Sequence, residues 1–266
     1  MSKKFKAKVF SHRFYILSLF PEMFEGTFSQ SIIKHALDKK LISIKFVNPR
    51  DFAQDLRKTV DDKPYGGGSG MVMKVDVLTK ALESIRPKPY SILLSASGRK
   101  YTQEKAQYLA KKKEIALICG HYEGVDARLE YFVDEITSIG DFVLTGGEIP
   151  AMAIVDSVTR LLPGVIKKES TDIESFSPST INPLRSRLSS RRAHLARRES
   201  RRARSEANHQ PSTLLEYPQY TRPEEFRGFP VPKVLLSGNH KQIENWREEQ
   251  ILMRTKKFRP DLLKSK

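Results

Sequence analysis

The stretch Ile139-Gly140-Asp141-Phe142-Val143-Leu144-Thr145-Gly146-Gly147-Glu148-Ile149-Pro150 sets three glycines in a turn between an apolar strand and a long apolar helix. A second turn of the same kind precedes it, Cys119-Gly120-His121-Tyr122-Glu123-Gly124, and a third, Ser95-Ala96-Ser97-Gly98, follows an earlier apolar run. Glycine admits positive φ and lets main-chain amides and carbonyls come close to a ligand that a β-carbon would hold off. Three such strand exits predict one small-molecule pocket recognised largely through the backbone.

Outward from these turns the hydrophobic periodicity alternates. It predicts strands over 14–19, 42–47, 91–94, 115–118 and 135–139, with helices over 22–39, 76–85 and 102–112, near residue 126, and over 150–162. Alternation of this kind implies an α/β fold, a mostly parallel sheet covered by helices on both faces. Open sheets of that class bind ligands beyond the carboxyl ends of their strands, where the three turns fall. The composition then changes: residues 177–212 hold nine Arg, no Lys and two Glu, with Pro178, Pro183 and Pro211 and no sustained apolar face. The expected division is an α/β ligand-binding unit over 1–168, an Arg/Ser-rich linker over 169–212 and a small α-helical unit over 213–266. In the last of these, Ile243, Trp246, Gln250 and Met253 share one helical face.

Of the 266 residues, 47 are Lys or Arg and 31 Asp or Glu, a net charge of +16, and the segment 177–212 accounts for only +7 of it. A basic body of this kind suits a polyanionic substrate, since phosphate neutralisation dominates affinity for nucleic acid; a solvated basic surface would give the same count. The single Cys119 rules out an intrachain disulfide and a Cys-rich zinc site, no His-Glu-x-x-His helix replaces one, and no metal site is expected. The run Phe14 to Phe20 is broken by Pro21-Glu22 without a small-residue cleavage site, and no stretch reaches membrane-spanning length, so a cytoplasmic protein without membrane contact is expected. Gly66-Gly67-Gly68-Ser69-Gly70 lacks the Lys-Ser/Thr ending of a phosphate-binding loop, and neither a dinucleotide fingerprint nor a Gly-x-Ser-x-Gly elbow is present. Its unusual glycine run, beside Asp62 and Tyr65, argues for close approach of a ligand or partner.

Six ordered motifs carry a family resemblance. They are Asp61 to Met73, Cys119 to Asp126, Ser138 to Pro150, Asp156 to Val165 (Asp-Ser-Val-Thr-Arg-Leu-Leu-Pro-Gly-Val), Tyr217 to Pro223 (Tyr-Pro-Gln-Tyr-Thr-Arg-Pro) and Leu235 to His240. Together they resemble the bacterial tRNA (guanine-37-N1) methyltransferases, over residues 12–176 and 213–263. The resemblance implies a deep trefoil knot in the sheet and S-adenosyl-L-methionine as methyl donor. It further implies a homodimer with its sites at the interface, a C-terminal helical unit that grips tRNA, and a role in reading-frame maintenance. By the same resemblance Ser95, Gly98, Gly120, Tyr122, Glu123, Ile139, Gly140, Asp141, Phe142, Val143, Leu144, Gly146, Gly147 and Pro150 form the donor cradle. Read singly, Tyr122 and Phe142 also suit core aromatics, Glu123 a helix cap, Arg160 a salt-bridge partner and His240 a loop hydrogen-bonder.

Methyl transfer to a guanine ring nitrogen requires donor and acceptor held in line, a carboxylate to take the N1 proton, and a cation for the charge that develops on the neighbouring carbonyl oxygen. Arg160 matches the family's active-site arginine. The family's base is an Asp immediately before Ser-Phe, whereas Ser175-Phe176 follow Glu174 here, with Asp172 two residues earlier. A carboxylate misplaced by about 1 Å costs on the order of a hundredfold in rate. The Arg-rich segment replaces what is a loop of a few residues in the family, and its low-complexity composition favours an insertion of little role over added phosphate contacts. Two other readings stay open: a knotted methyltransferase acting at another RNA position, and a non-catalytic tRNA-binding relative.

Overall fold

The structure is a computed structural model and describes residues 12–167 and 214–263. Five strands, β1 (His12–Leu17), β2 (Ile42–Val47), β5 (Tyr90–Lys100), β6 (Glu114–Cys119) and β7 (Glu135–Ser138), form one sheet in the order β2-β1-β6-β5-β7. All four of its pairings are parallel. Period-2 alternation then sorts each strand onto two apolar layers. Phe14, Ile16, Ile92, Leu94, Ile115, Leu117 and Cys119 enter one, with α1 (Glu25–Phe28), α2 (Ser31–Asp38), α4 (Gln103–Leu109) and α5 (Glu148–Thr159). Tyr15, Leu17, Leu93, Ala116 and Ile118 enter the other, with α3 (Val75–Glu83) and the 3-10 turn Ala127–Tyr131. The sheet is therefore covered on both faces, and the described strands and helices alternate as the periodicity predicts.

Three departures have local causes. The helix expected over 22–39 is interrupted: a 3-10 turn at Pro21–Phe24 leads into α1, and α2 restarts at Ser31, whose φ is +52°. The Ser29 hydroxyl donates to the Gly26 carbonyl at 3.3 Å, one of the local side-chain bonds that compete with helix continuation. Near residue 126 the chain makes only the 3-10 turn, capped by Asp126, whose side chain accepts from Arg128 N, and not by Glu123. β5 runs six residues beyond the expected end at 94, because its pairing with β7 breaks at Leu94 and resumes at Arg99, so residues 95–98 loop out of the sheet.

The two-residue strands β3 (Asp61–Asp62) and β4 (Val72–Met73) pair with each other, as do β8 (Glu225–Phe226) and β9 (Phe229–Pro230). Helices α6 (Lys233–Leu236) and α7 (His240–Phe258) complete the described chain, before a final 3-10 turn at Pro260–Leu263. His240 is the first residue of α7, behind the Asn239 cap, and not a loop residue. The apolar cluster here is small: Val231, Leu235 and Ile243 are buried, with Tyr65, Tyr220 and Trp246 against them, while Met253 is exposed. Polar contacts do the rest. Arg128, 1% exposed, donates from Nε and Nη2 to Asp126 (2.9 and 2.7 Å) and to the carbonyls of Thr221 and Pro223 (both 2.7 Å). The fully buried Asp126 also accepts from Thr221 N (2.7 Å) and Oγ1 (2.9 Å). The glycine run of 66–70 closes against the same region: a β-carbon on Gly66 would lie 2.8 Å from Leu235 Cδ2, and Arg247 donates to the Gly66 and Gly67 carbonyls.

Candidate functional site

The three strand exits converge on one cleft at the carboxyl end of the sheet, lined among others by Ser95, Gly120, Tyr122, Glu123, residues 136–140, residues 142–147 and Pro150. Its floor is main chain held at close quarters. Gly147 N donates to the Gly120 carbonyl at 2.9 Å, His121 and Gly146 form an isolated bridge, and a β-carbon on Gly147 would lie 2.6 Å from Cys119 Cα. The Ser138 hydroxyl accepts from Gly140 N (3.2 Å) and donates to the Gly140 carbonyl (2.8 Å), turning the chain as it leaves β7. Below the start of α5, the buried Glu148 accepts from Ser18 Oγ at 2.8 Å. Tyr122 has φ +60° and is 43% exposed, and Phe142 is 53% exposed, so neither is a core aromatic. A non-glycine residue with positive φ is a strained conformation that clusters at ligand sites.

Twelve of the fourteen cradle residues named from the sequence line this cleft. Gly98 does not: a β-carbon there would lie 2.5 Å from Thr137 N, so the glycine serves the re-entry of β5 beside β7. Asp141 turns outward, its carboxylate paired with Lys100 and with Arg259, and those two cations hold its pKa down at about 2. Arg160 is the C-cap of α5, the end opposite Pro150; ten residues of helix span about 15 Å, and Arg160 does not line the cleft. Glu174 and Asp172 lie outside the described residues.

The sequence reading missed the wall contributed from far along the chain. Glu216, Tyr217, Pro218 and Gln219 line the cleft, and Gln219 Nε2 donates to the Glu123 carbonyl at 3.1 Å. Arg254 of α7 reaches in as well, paired with Glu130 at 2.6 Å and 3.4 Å from Ser97 Oγ. Burial pushes the Glu216 carboxyl above the ordinary carboxylate range, opposed by Arg254 and reinforced by Glu123. The available signal was the acid one place before the Tyr217 motif, and the arginine one place beyond Met253 on the helical face. Among the described lining residues the charged side chains are Glu123, Glu130 and Glu216 with Arg254, which pairs with Glu130, an acidic balance that suits a cationic ligand.

An all-parallel, doubly covered sheet with a main-chain-walled cleft at its carboxyl edge defines a ligand-binding α/β protein of the open-sheet class. Comparison with known proteins narrows this. The sequence profile described as tRNA (guanine-1)-methyltransferase TrmD matches residues 12–189 and 191–265, and the chain belongs to that family. It is 48% identical over 252 residues to a tRNA (guanine-N(1)-)-methyltransferase of Carboxydothermus hydrogenoformans, covering 94% of this chain and 86% of the relative. Proteins of the same description from Geobacillus kaustophilus and Bacillus subtilis are 47% and 45% identical, each across 93% of this chain and 90% of the relative.

Proposed function

We propose that this chain transfers a methyl group from S-adenosylmethionine to N1 of guanine 37 in tRNA, beside the anticodon, and so supports reading-frame maintenance. The observation that carries the reading is the single cleft into which three glycine-bearing strand exits open. The donor fits its chemistry. S-adenosylmethionine is a sulfonium cation, and the described residues of the cleft set three acidic side chains against one guanidinium; Gly140, Gly146 and Gly147, packed against neighbouring protein atoms, bring main chain into its wall for an adenine and a methionine backbone to meet. When bound, the donor supplies an electrophilic methyl group.

The chain's own residues orient and deprotonate. Glu174, or Asp172 in its place, takes the N1 proton, and Arg160 steadies the charge that develops on the guanine carbonyl oxygen. Arg160 stands at the far end of α5 from the cleft, and in the proposed homodimer a second copy of the chain would bring its own Arg160 to this site. The parallel sheet order accords with a trefoil knot, and the lone, buried Cys119 with a cytoplasmic location. No helix among the described residues is long and apolar enough to cross a membrane. The division at 168 and 213 is proposed as the boundary between donor-binding and tRNA-gripping units.

The test is methyl transfer from labelled S-adenosylmethionine to an unmodified transcript carrying guanine 37, with Glu174→Gln and Asp172→Asn in parallel. Label on N1 that is lost with Glu174→Gln supports the reading and assigns the base; loss with Asp172→Asn alone moves that role two residues upstream. An absence of label in the parent protein despite tight donor binding overturns it in favour of another RNA position or a non-catalytic tRNA binder.

A further inference from the structure

The segment that closes the donor cleft, 139–147, is poorly anchored by its own side chains. Val143 is 86% exposed and Phe142 more than half exposed. Beyond the Ser138 hydroxyl at its base, Asp141 is the one residue between Gly140 and Gly146 whose side chain is hydrogen-bonded among the described residues. Its two oxygens accept from Arg259 Nη1 (2.5 Å) and Nη2 (3.1 Å), a fork-on-carboxylate geometry, and Lys100 at the end of β5 adds a third cationic contact.

Arg259 is not a casual surface partner. Its side chain is 4% exposed, its Nε and Nη2 also donate to Asp261, and its backbone N closes the last turn of α7 on the Thr255 carbonyl at 2.9 Å. That turn is fixed in turn by Leu215 N, which donates to Thr255 Oγ1 at 3.0 Å, and by the Arg254–Glu130 pair inside the cleft. α7 and its C-cap thus carry two arginines five residues apart, Arg254 inside the cleft and Arg259 gripping its closing segment.

We infer that Arg259 is a positioning residue for the donor site: by clamping Asp141 it holds residues 139–147 in their donor-binding form and ties donor affinity to the seating of α7. The inference rests on the proposed donor site. A mobile closing segment lowers apparent affinity by the fraction of time it spends in the competent form, and a clamp removes that loss. Linkage makes the effect reciprocal, so a bound donor must tighten the seating of α7 by the same factor.

The experiment is calorimetric binding of S-adenosylmethionine to the full chain without tRNA, for the parent protein, Arg259→Gln, Arg259→Lys, Asp141→Asn and Arg227→Gln. Arg227 pairs with Glu83 and also attaches the C-terminal segment, and neither residue lines the cleft. Arg259→Gln is expected to weaken donor binding at least fivefold, the low end of ordinary site-to-site coupling, with Asp141→Asn moving the same way, Arg259→Lys in between and Arg227→Gln unchanged. In turnover the change should fall on KM for the donor and spare kcat. In hydrogen exchange, donor should slow the amides of residues 255–259 in the parent protein and not in Asp141→Asn. Donor binding of parental strength in Asp141→Asn overturns the inference even if Arg259→Gln fails to fold, and so does equal weakening by Arg227→Gln. A parent protein that binds no donor would instead remove the donor-site reading itself.

Discussion

Replacing Arg128 by Met tests how the C-terminal segment is held. The side chain is 1% exposed and joins Asp126 to the carbonyls of Thr221 and Pro223, so the substitution deletes four hydrogen bonds of 2.7 to 2.9 Å. Breaking a buried ion pair from one side costs about 3–5 kcal/mol, because the other charge stays buried. Asp126 keeps three donors, Arg128 N, Thr221 N and Thr221 Oγ1, which argues for the lower figure. Two carbonyls that lose their donor, each costing about 1 kcal/mol or more, argue for the upper one. We therefore expect a loss of about 4 kcal/mol, which for a chain of this size lowers Tm by about 8–16 °C. Arg227→Gln, at the exposed pair with Glu83, should cost about 0–1 kcal/mol. Thermal and urea unfolding measure both, and hydrogen exchange over 219–231 shows whether the loss begins there. An Arg128→Met protein within about 1 kcal/mol of the parent would refute the view that this buried network, and not the three-residue apolar cluster, secures the segment.

Two further outcomes are expected. Gly147 has an ordinary φ of −80°, so Gly147→Ala acts by sterics alone: its β-carbon would sit 2.6 Å from Cys119 Cα and 3.0 Å from Gly120 N, and overpacking of this kind costs about 1–3 kcal/mol. Both Tm and donor affinity should fall, and parental values for the two together would contradict the described close approach. Asp141 has its pKa depressed from 3.8 to about 2, so its contribution is complete above its unfolded value and is lost as pH falls through the folded one. Donor affinity owed to Asp141 should therefore be flat from neutral pH down to about pH 5, and the Tm of Asp141→Asn should fall less steeply than that of the parent between about pH 4 and 2. Identical slopes for the two proteins in that interval would show that Asp141 is not held by Arg259 and Lys100.

The periodic signal served where neighbours in sequence are also neighbours in space. β2 spans the residues its alternation predicts, and the glycine turns mark all three exits. It fell short where a distant segment decides. That residues 95–98 loop out depends on Gly98 meeting the backbone of Thr137, and the outward turn of Asp141 depends on Arg259, 118 residues away. Glu216 and Arg254 enter the cleft because contacts from far along the chain, those of Asp126 and Arg128 with Thr221 among them, dock the C-terminal segment beside it, and no local pattern encodes that docking. Arg160, expected on the long helix, is its C-cap, and ten residues of helical rise carry it from Pro150 at the cleft to the opposite end.

The position of β1 bears on how the chain comes off the ribosome. Its two neighbours in the sheet are β2, made soon after it, and β6, whose first residue Glu114 follows Val47 by 67 residues. At ~5–20 residues per second β1 presents an unsatisfied edge for about 3–13 s. Such an edge invites pairing with other nascent chains, and charged side chains are the usual deterrent. Arg13, which later meets Glu114 at 2.7 Å, puts a positive charge on that strand during the wait. The arginine that closes the β1–β6 pairing in the finished sheet is thus, until β6 is made, a charge that works against mispairing.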